Sequence, residues 1–369
     1  MGTSRLVSTR EHEQPALPVV NSYNEWDPLE EVIVGVIDGA AIPPWHVSLK
    51  ATMPSKFWPM FQQFGGQPFP KEIVDAANRD LDELVHVLEE EGVTVRRPDP
   101  IPQTRGYRTP DWQSASGLYA AMPRDLLLVM GDELLEVPMA WRSRYFEIHA
   151  YRALLKEYFQ RGARWTAAPR PQLADQLFNE GHEPSPEGEP IRSVLTEFEP
   201  TFDAADLFRC GRDIFYIRSQ VTNEFGISWL KRQYGDRFRF HALECNDPKA
   251  MHLDTTFLPL GPGRLLVNPQ RVHRLPKLFD SWEILEAPPP CTPDSFDLYM
   301  SGKWLSMNVL MIDEQRVVVA RHEENLINAF RSWGLKPIPC NFVNFYRFGG
   351  SIHCATLDVR RRGPLRSYF

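Results

Sequence analysis

Two short segments of the chain hold residue types that could act together on a substrate. The first, MHLDTTF (251–257), places His252 two residues before Asp254. If this segment is a strand, both side chains point to the same face of it. A histidine beside a carboxylate can transfer protons or hold a cation. A surface histidine that lies near an aspartate by chance is the commoner explanation, so the pattern alone is a weak signal.

The second segment is FGGSIHCATLDVRRRG (348–363), where Gly349 and Gly350 precede Cys354. Glycines let the backbone approach a ligand closely, and a cysteine after such a turn could be an accessible nucleophile. A buried, inert cysteine is the alternative that the local sequence favours. The basic run 360–362 is more typical of a solvated or salt-bridged face than of a phosphate site.

Carboxylates beside apolar runs are a third feature. Asp203, Asp206 and Asp213 lie in EFEPTFDAADLFRCGRDIF (197–215), and Asp125 enters an apolar strand. A carboxylate at a strand boundary is usually a turn or cap residue. Each of these residues, taken singly, therefore has a structural explanation.

The elements that would position these residues alternate along the chain. Apolar, β-branched runs predict strands at 29–37, 125–131, 213–219, 263–269, 308–320 and 351–360. Helical periodicity predicts helices at 73–92, 144–162, 224–235 and 322–334. This alternation indicates an α/β or α+β class. The Pro-, Glu- and Gly-rich segment 179–193 is typical of an exposed loop.

Composition favours a soluble globular protein. The chain has 369 residues, of which 43% are hydrophobic and 24% charged. A net charge of -7 disfavours nucleic-acid binding, and no apolar run is long enough to span a bilayer. Since the N-terminus also lacks a secretory apolar region, we expect a cytoplasmic protein whose residues 1–17 form a flexible tail.

Five cysteines are scattered along the chain without a CxxC motif. They are Cys210, Cys245, Cys291, Cys340 and Cys354. An odd number at wide spacing argues against a disulfide framework or a zinc site, and indicates a reducing compartment. We expect most of them to be small buried residues.

Ten segments, taken together and in order, resemble the amidinotransferase family, and within it most of all the glycine amidinotransferases. The segments are 22–35, 96–100, 117–125, 138–147, 202–215, 218–230, 251–257, 261–271, 303–311 and 353–363. The resemblance runs from about residue 20 to the C-terminus. It implies the five-bladed α/β propeller of the guanidino-modifying superfamily, with ββαβ modules around a central channel. It also implies one domain over 18–369, a homodimer, and chemistry without a metal or organic cofactor.

The resemblance assigns the catalytic residues by motif. The nucleophile falls on Cys354 in HCATLDVRRRG, the general acid/base on His252 in MHLDTTF, and the carboxylate that orients it on Asp203 in FDAADLF. A thiolate would attack the guanidinium carbon of arginine, and the His252 imidazolium would lower the Cys354 pKa and protonate the departing ornithine.

The same resemblance assigns the substrate contacts. Asp125 and Asp254 would hold the planar guanidinium, and Arg271 would bind the donor carboxylate with Ser301 nearby. The amidino group would stay on the cysteine until an acceptor amine replaces ornithine, which is ping-pong chemistry. A narrow channel would keep water away from this intermediate.

Three residues concern the acceptor. Gly302 stands where the glycine enzymes have a second serine, which weakens or widens the site for the donor carboxylate. Lys249 replaces an asparagine and could pair with an acidic group on the acceptor or face solvent. Met251 is kept, and it favours glycine or another slim amine. Glycine is therefore the predicted acceptor, with lysine, an amino alcohol or another amine as alternatives.

Two other functions are compatible with parts of this pattern. An arginine deiminase-like hydrolase would use the same cysteine, histidine and paired carboxylates but deliver water to the intermediate. A non-catalytic relative would have lost some of the catalytic residues. All five are present here: Cys354, His252, Asp203, Asp125 and Asp254. The long shared segments outside the site favour the transferase.

Overall fold

The computed structural model describes residues 18–186, 189 and 191–369. Its strands are β1 (Leu29–Val34), β2 (Thr94–Arg96), β3 (Tyr107–Arg108), β4 (Gln113–Ser114), β5 (Leu127–Met130), β6 (Glu133–Glu136), β7 (Arg164–Ala167), β8 (Leu207–Cys210), β9 (Asp213–Tyr216), β10 (Arg239–Ala242), β11 (Phe257–Gly261), β12 (Arg264–Val267), β13 (Glu283–Glu286), β14 (Leu310–Met311), β15 (Arg316–Ala320), β16 (Lys336–Cys340) and β17 (Thr356–Arg361). Its α-helices are α1 (Val47–Thr52), α2 (Trp58–Phe64), α3 (Lys71–Glu90), α4 (Pro123–Leu126), α5 (Arg152–Gln160), α6 (Glu224–Tyr234) and α7 (Glu324–Ser332).

Most of the strands form five three-stranded sheets of one design. In each sheet an antiparallel pair is extended by a third strand that runs parallel to the central one. The orders are β17-β1-β2, β5-β6-β7, β8-β9-β10, β11-β12-β13 and β14-β15-β16. Strands β3 and β4 form a separate small hairpin.

Local sequence explains the antiparallel pairs and the crossovers. Gly131, Gly211 and Gly263 have φ between 68° and 78° in the turns β5–β6, β8–β9 and β11–β12, a conformation that favours glycine. A parallel third strand requires a crossover. Helices α3, α5, α6 and α7 supply four of them, each burying one apolar stripe. Between β12 and β13 only a 3-10 turn, Lys277–Phe279, interrupts the chain.

These sheets confirm the predicted α/β class. Three of the five follow in chain order the ββαβ pattern that the family resemblance implied, and a fourth matches it with β17, from the end of the chain, as its first strand. The arrangement of the sheets as blades around a channel stays a prediction. The predicted tail, residues 1–17, lies outside the described residues. Among those that are described, no helix is long and apolar enough to cross a membrane.

The strand conformation considered for MHLDTTF (251–257) is not the one observed. Leu253–Thr255 form a 3-10 turn, and β11 begins only at Phe257. His252 opens this turn with φ of 71°, which is rare for a residue other than glycine. Strand alternation therefore does not explain how His252 and Asp254 come to the same site.

The strand after the cysteine closes the first sheet. β17 pairs antiparallel with β1, in a register that places Leu29 opposite Arg361. The basic run 360–362 is salt-bridged, as expected, because Arg360 and Arg362 contact Glu30. Arg361 differs, since it is fully buried.

Candidate active site

The predicted site residues meet at one cavity of about 150 Å³. Its lining includes eight of them: Lys249, Met251, His252, Asp254, Arg271, Ser301, Gly302 and Cys354. Asp125 lines a small adjoining recess together with His252, and Asp203 contacts the far nitrogen of the histidine ring. The structure thus brings together residues from distant parts of the chain.

Cys354 lies at the buried end of this cavity, with only 2% of its surface exposed. Its Sγ is 3.1 Å from Asp254 Oδ2, and Asn308 Nδ2 donates to it at 3.1 Å. The Asn308 amide oxygen accepts from the Cys354 backbone N–H at 3.0 Å. Asn308 therefore fixes the cysteine at two points. An added Cβ on Gly350 would lie 2.9 Å from Cys354 Cβ, so this close approach requires glycine.

His252 is held by both its backbone and its ring. Its N–H donates to Asp206 Oδ1 at 2.8 Å, which supports the positive φ. Its Nε2 is 3.0 Å from Asp203 Oδ2, and its Nδ1 is 3.6 Å from Asp125 Oδ1. Asp206, which the sequence left as a structural carboxylate, thus positions the histidine, while Asp203 contacts its ring as predicted.

The carboxylates around His252 keep it charged. Burial alone would lower its pKa, but the charge of Asp125 and the hydrogen bond that the ring donates to Asp203 raise the pKa of His252 well above 6.5. Burial in turn raises the pKa of Asp203, although the histidine counteracts this. The ring is therefore an imidazolium at neutral pH in the unliganded site.

The thiol pKa reflects two opposing influences. Burial, followed by the charge of Asp254, raises the pKa of Cys354 to about 12. His252 lowers this pKa, as the resemblance implied, but its contribution is smaller than the rise in the unliganded site. Burial and a carboxylate 3.1 Å from the sulfur together outweigh the histidine. The free site thus holds a thiol, not a thiolate.

The two predicted guanidinium-binding carboxylates are each fixed through one oxygen. Arg144 donates to Asp125 Oδ2 at 2.8 Å, and His353 Nδ1 lies 3.0 Å from Asp254 Oδ2. Their other oxygens, Oδ1 of both residues, are buried and have no hydrogen-bond partner within the described part of the chain. Buried acceptors are normally paired, so these two are available to a ligand.

The outer part of the cavity carries charges of both signs. Arg271 donates to Thr255 Oγ1 at 2.8 Å and forms an ion pair with Asp247 at 2.9 Å. Ser301 and Gly302 line the same wall, and an added Cβ on Gly302 would meet nothing within 4 Å. The missing serine side chain therefore leaves open space, as one of the two sequence alternatives proposed.

Lys249 and Met251 also face this cavity. Lys249 is half-buried and donates from Nζ to the Met53 carbonyl at 3.1 Å, so it is neither free in solvent nor paired with a carboxylate there. Burial lowers the pKa of Lys249, while Asp247 raises it. The ammonium remains available to an anionic group that enters the cavity.

Sequence reasoning missed four residues that hold the reacting groups: Glu25, Arg144, Asn308 and His353. His353 Nε2 lies 3.5 Å from Glu25 Oε2, which completes a chain from Glu25 through His353 to Asp254. All four lie inside the segments that carry the family resemblance. That position was the only available signal, because none of them belongs to a local pattern with a chemical meaning.

A buried charge network surrounds Glu25 and His353. Arg209 bridges Glu25 and Asp358 at 2.8 and 2.7 Å, and Arg124 contacts the same two carboxylates. Arg124 also donates to the His353 carbonyl at 2.9 Å. Removing one partner of such a network leaves an uncompensated buried charge, which costs about 3–5 kcal/mol. The network therefore fixes the backbone beside Cys354.

One group of residues in the described structure could hold a metal ion. Ligand atoms of Asp125, His252 and Cys354 lie within 4.8 Å of one another. A carboxylate, an imidazole and a thiolate would suit an ion such as zinc. These are also the groups that the resemblance assigns to substrate binding and catalysis.

Comparisons with known proteins identify relatives along almost the whole chain. It is 53% identical over 349 residues to the L-arginine:L-lysine amidinotransferase of Pseudomonas savastanoi pv. phaseolicola, covering 95% of this chain and 96% of that protein. It is 49% identical over 378 residues to the mitochondrial glycine amidinotransferase of Danio rerio, covering 97% of this chain and 88% of that protein.

A solved structure supports the same assignment. SxtG, an amidinotransferase of the saxitoxin biosynthetic pathway from Microseira wollei, superposes with a TM-score of 0.92 at 52% identity, covering 95% of this chain and all of that one. No protein-family model matches the chain. Because relatives at about half identity span nearly its full length, the chain belongs to the amidinotransferase family and is an enzyme of that type.

Proposed function

We propose that this enzyme transfers the amidino group of L-arginine, through a covalent intermediate on Cys354, to the primary amine of a second substrate. The observation that carries the proposal is the pair of buried carboxylates, Asp125 and Asp254, close to the Cys354 sulfur. Each has one oxygen without a hydrogen-bond partner among the described residues. A guanidinium has five N–H donors in a planar fork, which suits two carboxylates held in fixed positions.

Arginine binding would activate the thiol. In the free site, Asp254 raises the pKa of Cys354 and Asp125 raises that of His252. A guanidinium between these carboxylates offsets their charge and so lowers the pKa of the thiol. One proton then leaves to solvent, and the site holds a thiolate beside the imidazolium.

The first half-reaction forms the covalent intermediate. The thiolate attacks the guanidinium carbon, and His252 gives its proton to the nitrogen that carries the ornithine chain. The carbon–nitrogen bond breaks, ornithine leaves, and an amidinium thioether stays on Cys354. Asp203, 3.0 Å from His252 Nε2, holds the ring in place through both steps.

The second half-reaction runs in reverse with another amine. Neutral His252 accepts a proton from the amine as it attacks the amidinium carbon. The carbon–sulfur bond then breaks, which releases the guanidino product and restores the thiolate. Burial of Cys354 restricts water, and this supports transfer over hydrolysis.

Glycine and lysine are the two candidate acceptors. Glycine is the acceptor predicted from the sequence, on the basis of Met251 in the cavity wall. Lysine is the second candidate, because the relative at 53% identity is named for it and Gly302 leaves open space. Both enter the site after ornithine leaves, as ping-pong kinetics require.

The test is an assay of the purified enzyme with arginine and a set of amines: glycine, lysine, γ-aminobutyrate and ethanolamine. We expect ornithine and one guanidino product, detected by mass spectrometry, and neither of them with Cys354→Ala. A peptide containing Cys354 should carry one amidino group when the acceptor is omitted. Citrulline as the sole product would show a hydrolase and overturn the proposal.

We also propose that residues 18–369 act as one domain in a cytoplasmic homodimer. Light scattering on the purified enzyme tests the dimer, and a monomer at micromolar concentration would contradict it.

A further inference from the structure

Opposite charges lie side by side at the outer wall of the cavity that holds Cys354. The Arg271 guanidinium and the Asp247 carboxylate are 2.9 Å apart, with 21% and 15% of their side chains exposed. Both line the cavity. This pair is therefore open to whatever occupies the space above the cysteine.

Each member of the pair is fixed in place. Arg271 is anchored by Thr255, to whose hydroxyl it donates at 2.8 Å. Asp247 Oδ1 accepts from the Lys249 N–H at 2.9 Å, which leaves Oδ2 directed at Arg271. A carboxylate here would repel the donor carboxylate that Arg271 alone is expected to bind. The presence of Asp247 thus calls for a positive group on the ligand.

We propose that Asp247 and Arg271 together form a receptor for the zwitterionic head group of an α-amino acid. Asp247 accepts from the α-ammonium, and Arg271 donates to the α-carboxylate. Both groups sit on one carbon of a free amino acid, so they can enter between two side chains that already lie in contact. The inference rests on the proposed function and adds the identity of the α-ammonium partner.

The acceptor must use the same cavity, because ornithine leaves before it enters. An amino acid with an amine at the end of its side chain can place its head group in the receptor while that amine reaches the amidinium carbon. Glycine cannot do both, since its amine and carboxylate are separated by one carbon. The receptor can therefore serve a lysine-type acceptor as well as the donor, whereas glycine would have to bind without it.

The first experiment compares donors with the wild-type enzyme. L-Arginine is set against 5-guanidinopentanoate, which lacks the α-ammonium, and agmatine, which lacks the carboxylate. Each analogue loses one charge-assisted hydrogen bond. The kcat/KM for release of its amine product should therefore be about tenfold or more below that of arginine. Equal kcat/KM for arginine and 5-guanidinopentanoate would overturn the proposal without any mutation.

The second experiment adds Asp247→Asn, with Asp280→Asn as the matched control at an exposed position outside the cavity. Asp247→Asn should lower kcat/KM for arginine about tenfold and change that for 5-guanidinopentanoate less than about twofold. An equal loss for both donors would mean that Asp247 only holds Arg271. A gain for both would mean that Asp247 competes with the donor carboxylate. Either result contradicts the receptor.

The acceptor is tested in the same way, with lysine, 6-aminohexanoate and glycine added to enzyme already carrying the amidino group. With the wild-type enzyme, lysine should react about tenfold faster than 6-aminohexanoate. With Asp247→Asn, the two acceptors should react at similar rates. If the wild-type enzyme reacts with lysine and 6-aminohexanoate at similar rates, the receptor does not bind the acceptor. If arginine itself gives no Cys354-dependent ornithine, the proposed function fails, whereas failure of the receptor leaves that turnover intact.

Discussion

The inner and outer parts of the cavity are built differently. Around Cys354, Asn308 makes two hydrogen bonds to the cysteine, and His252 is held by Asp203 and Asp206. At the outer wall, Lys249 has one contact to a backbone carbonyl, and Gly302 borders open space. The contrast indicates that Cys354 and His252 are each fixed by several partners, whereas Lys249 and Gly302 can be exchanged at small structural cost.

The largest effect is expected from His252→Gln. Under the proposed mechanism the variant loses the proton donor for ornithine and the proton acceptor for the incoming amine, so kcat should fall by about 10²–10⁴-fold. His86→Gln, at a position 70% exposed, is the control. A rate of ornithine formation within tenfold of wild type would mean that turnover does not depend on His252.

A second prediction concerns the state of the thiol. Since the pKa of Cys354 is raised to about 12, the thiolate fraction of the free enzyme should rise about tenfold per pH unit without a plateau below pH 10. Iodoacetamide alkylation of Cys354 as a function of pH measures this. Asp254→Asn removes a charge that raises the pKa, so it should speed alkylation at pH 9. A wild-type plateau near pH 8 would contradict the assignment.

His353→Gln should have a moderate effect that depends on pH. Burial would raise the pKa of Asp254, and the hydrogen bond from His353 is the largest of the contributions that lower it. A carboxylate with a lowered pKa stays ionised as the pH falls, so its loss of function appears only in acid. Without His353 the pKa of Asp254 rises, and the acid limb of kcat/KM for arginine should move to higher pH.

The matching measurement is a pH profile of ornithine release for both proteins. We expect the acid limb to move by about one pH unit, as a shift of about one pKa unit requires. The loss relative to wild type should therefore approach tenfold only on the acid limb itself and be small at pH 8. A uniform loss at every pH would show that His353 acts only through packing.

The smallest effects are expected at the outer wall. Lys249→Asn and Gly302→Ser each introduce the residue that the sequence resemblance associates with glycine enzymes. Each should change the ratio of glycine to lysine turnover by about two- to tenfold, corresponding to less than about 1.4 kcal/mol, with little change in stability. Competition assays with both acceptors present measure the ratio. An effect as large as that of His252→Gln would contradict the contrast between the two regions.

Sequence reasoning selected residues that the structure brings together at one cavity, because they sit in motifs that the family resemblance could match. It did not predict the conformation of MHLDTTF, whose threonines and phenylalanine favour a strand. The positive φ of His252 depends on the Asp206 carboxylate, a partner 46 residues away. A local pattern holds no information about such a contact.

Asn308 illustrates the same limit inside the site. It lies in the largely apolar run 303–311, where an isolated asparagine has no local pattern of its own, yet both ends of its amide contact Cys354. The raised pKa of the thiol was also unpredictable, because it follows from the depth of burial and the 3.1 Å distance to Asp254. Residue types could be predicted, whereas their electrostatic balance required the coordinates.

The pairing of β17 with β1 has a consequence for how the enzyme matures. Cys354 lies two residues before β17, whose partner β1 lies more than 300 positions earlier in the chain, as the register of Leu29 with Arg361 shows. Contacts of such long sequence separation are slow to form. During synthesis the ribosome releases β1 long before Cys354. The cavity around Cys354 can therefore be completed only after the end of the chain has emerged and this sheet has closed.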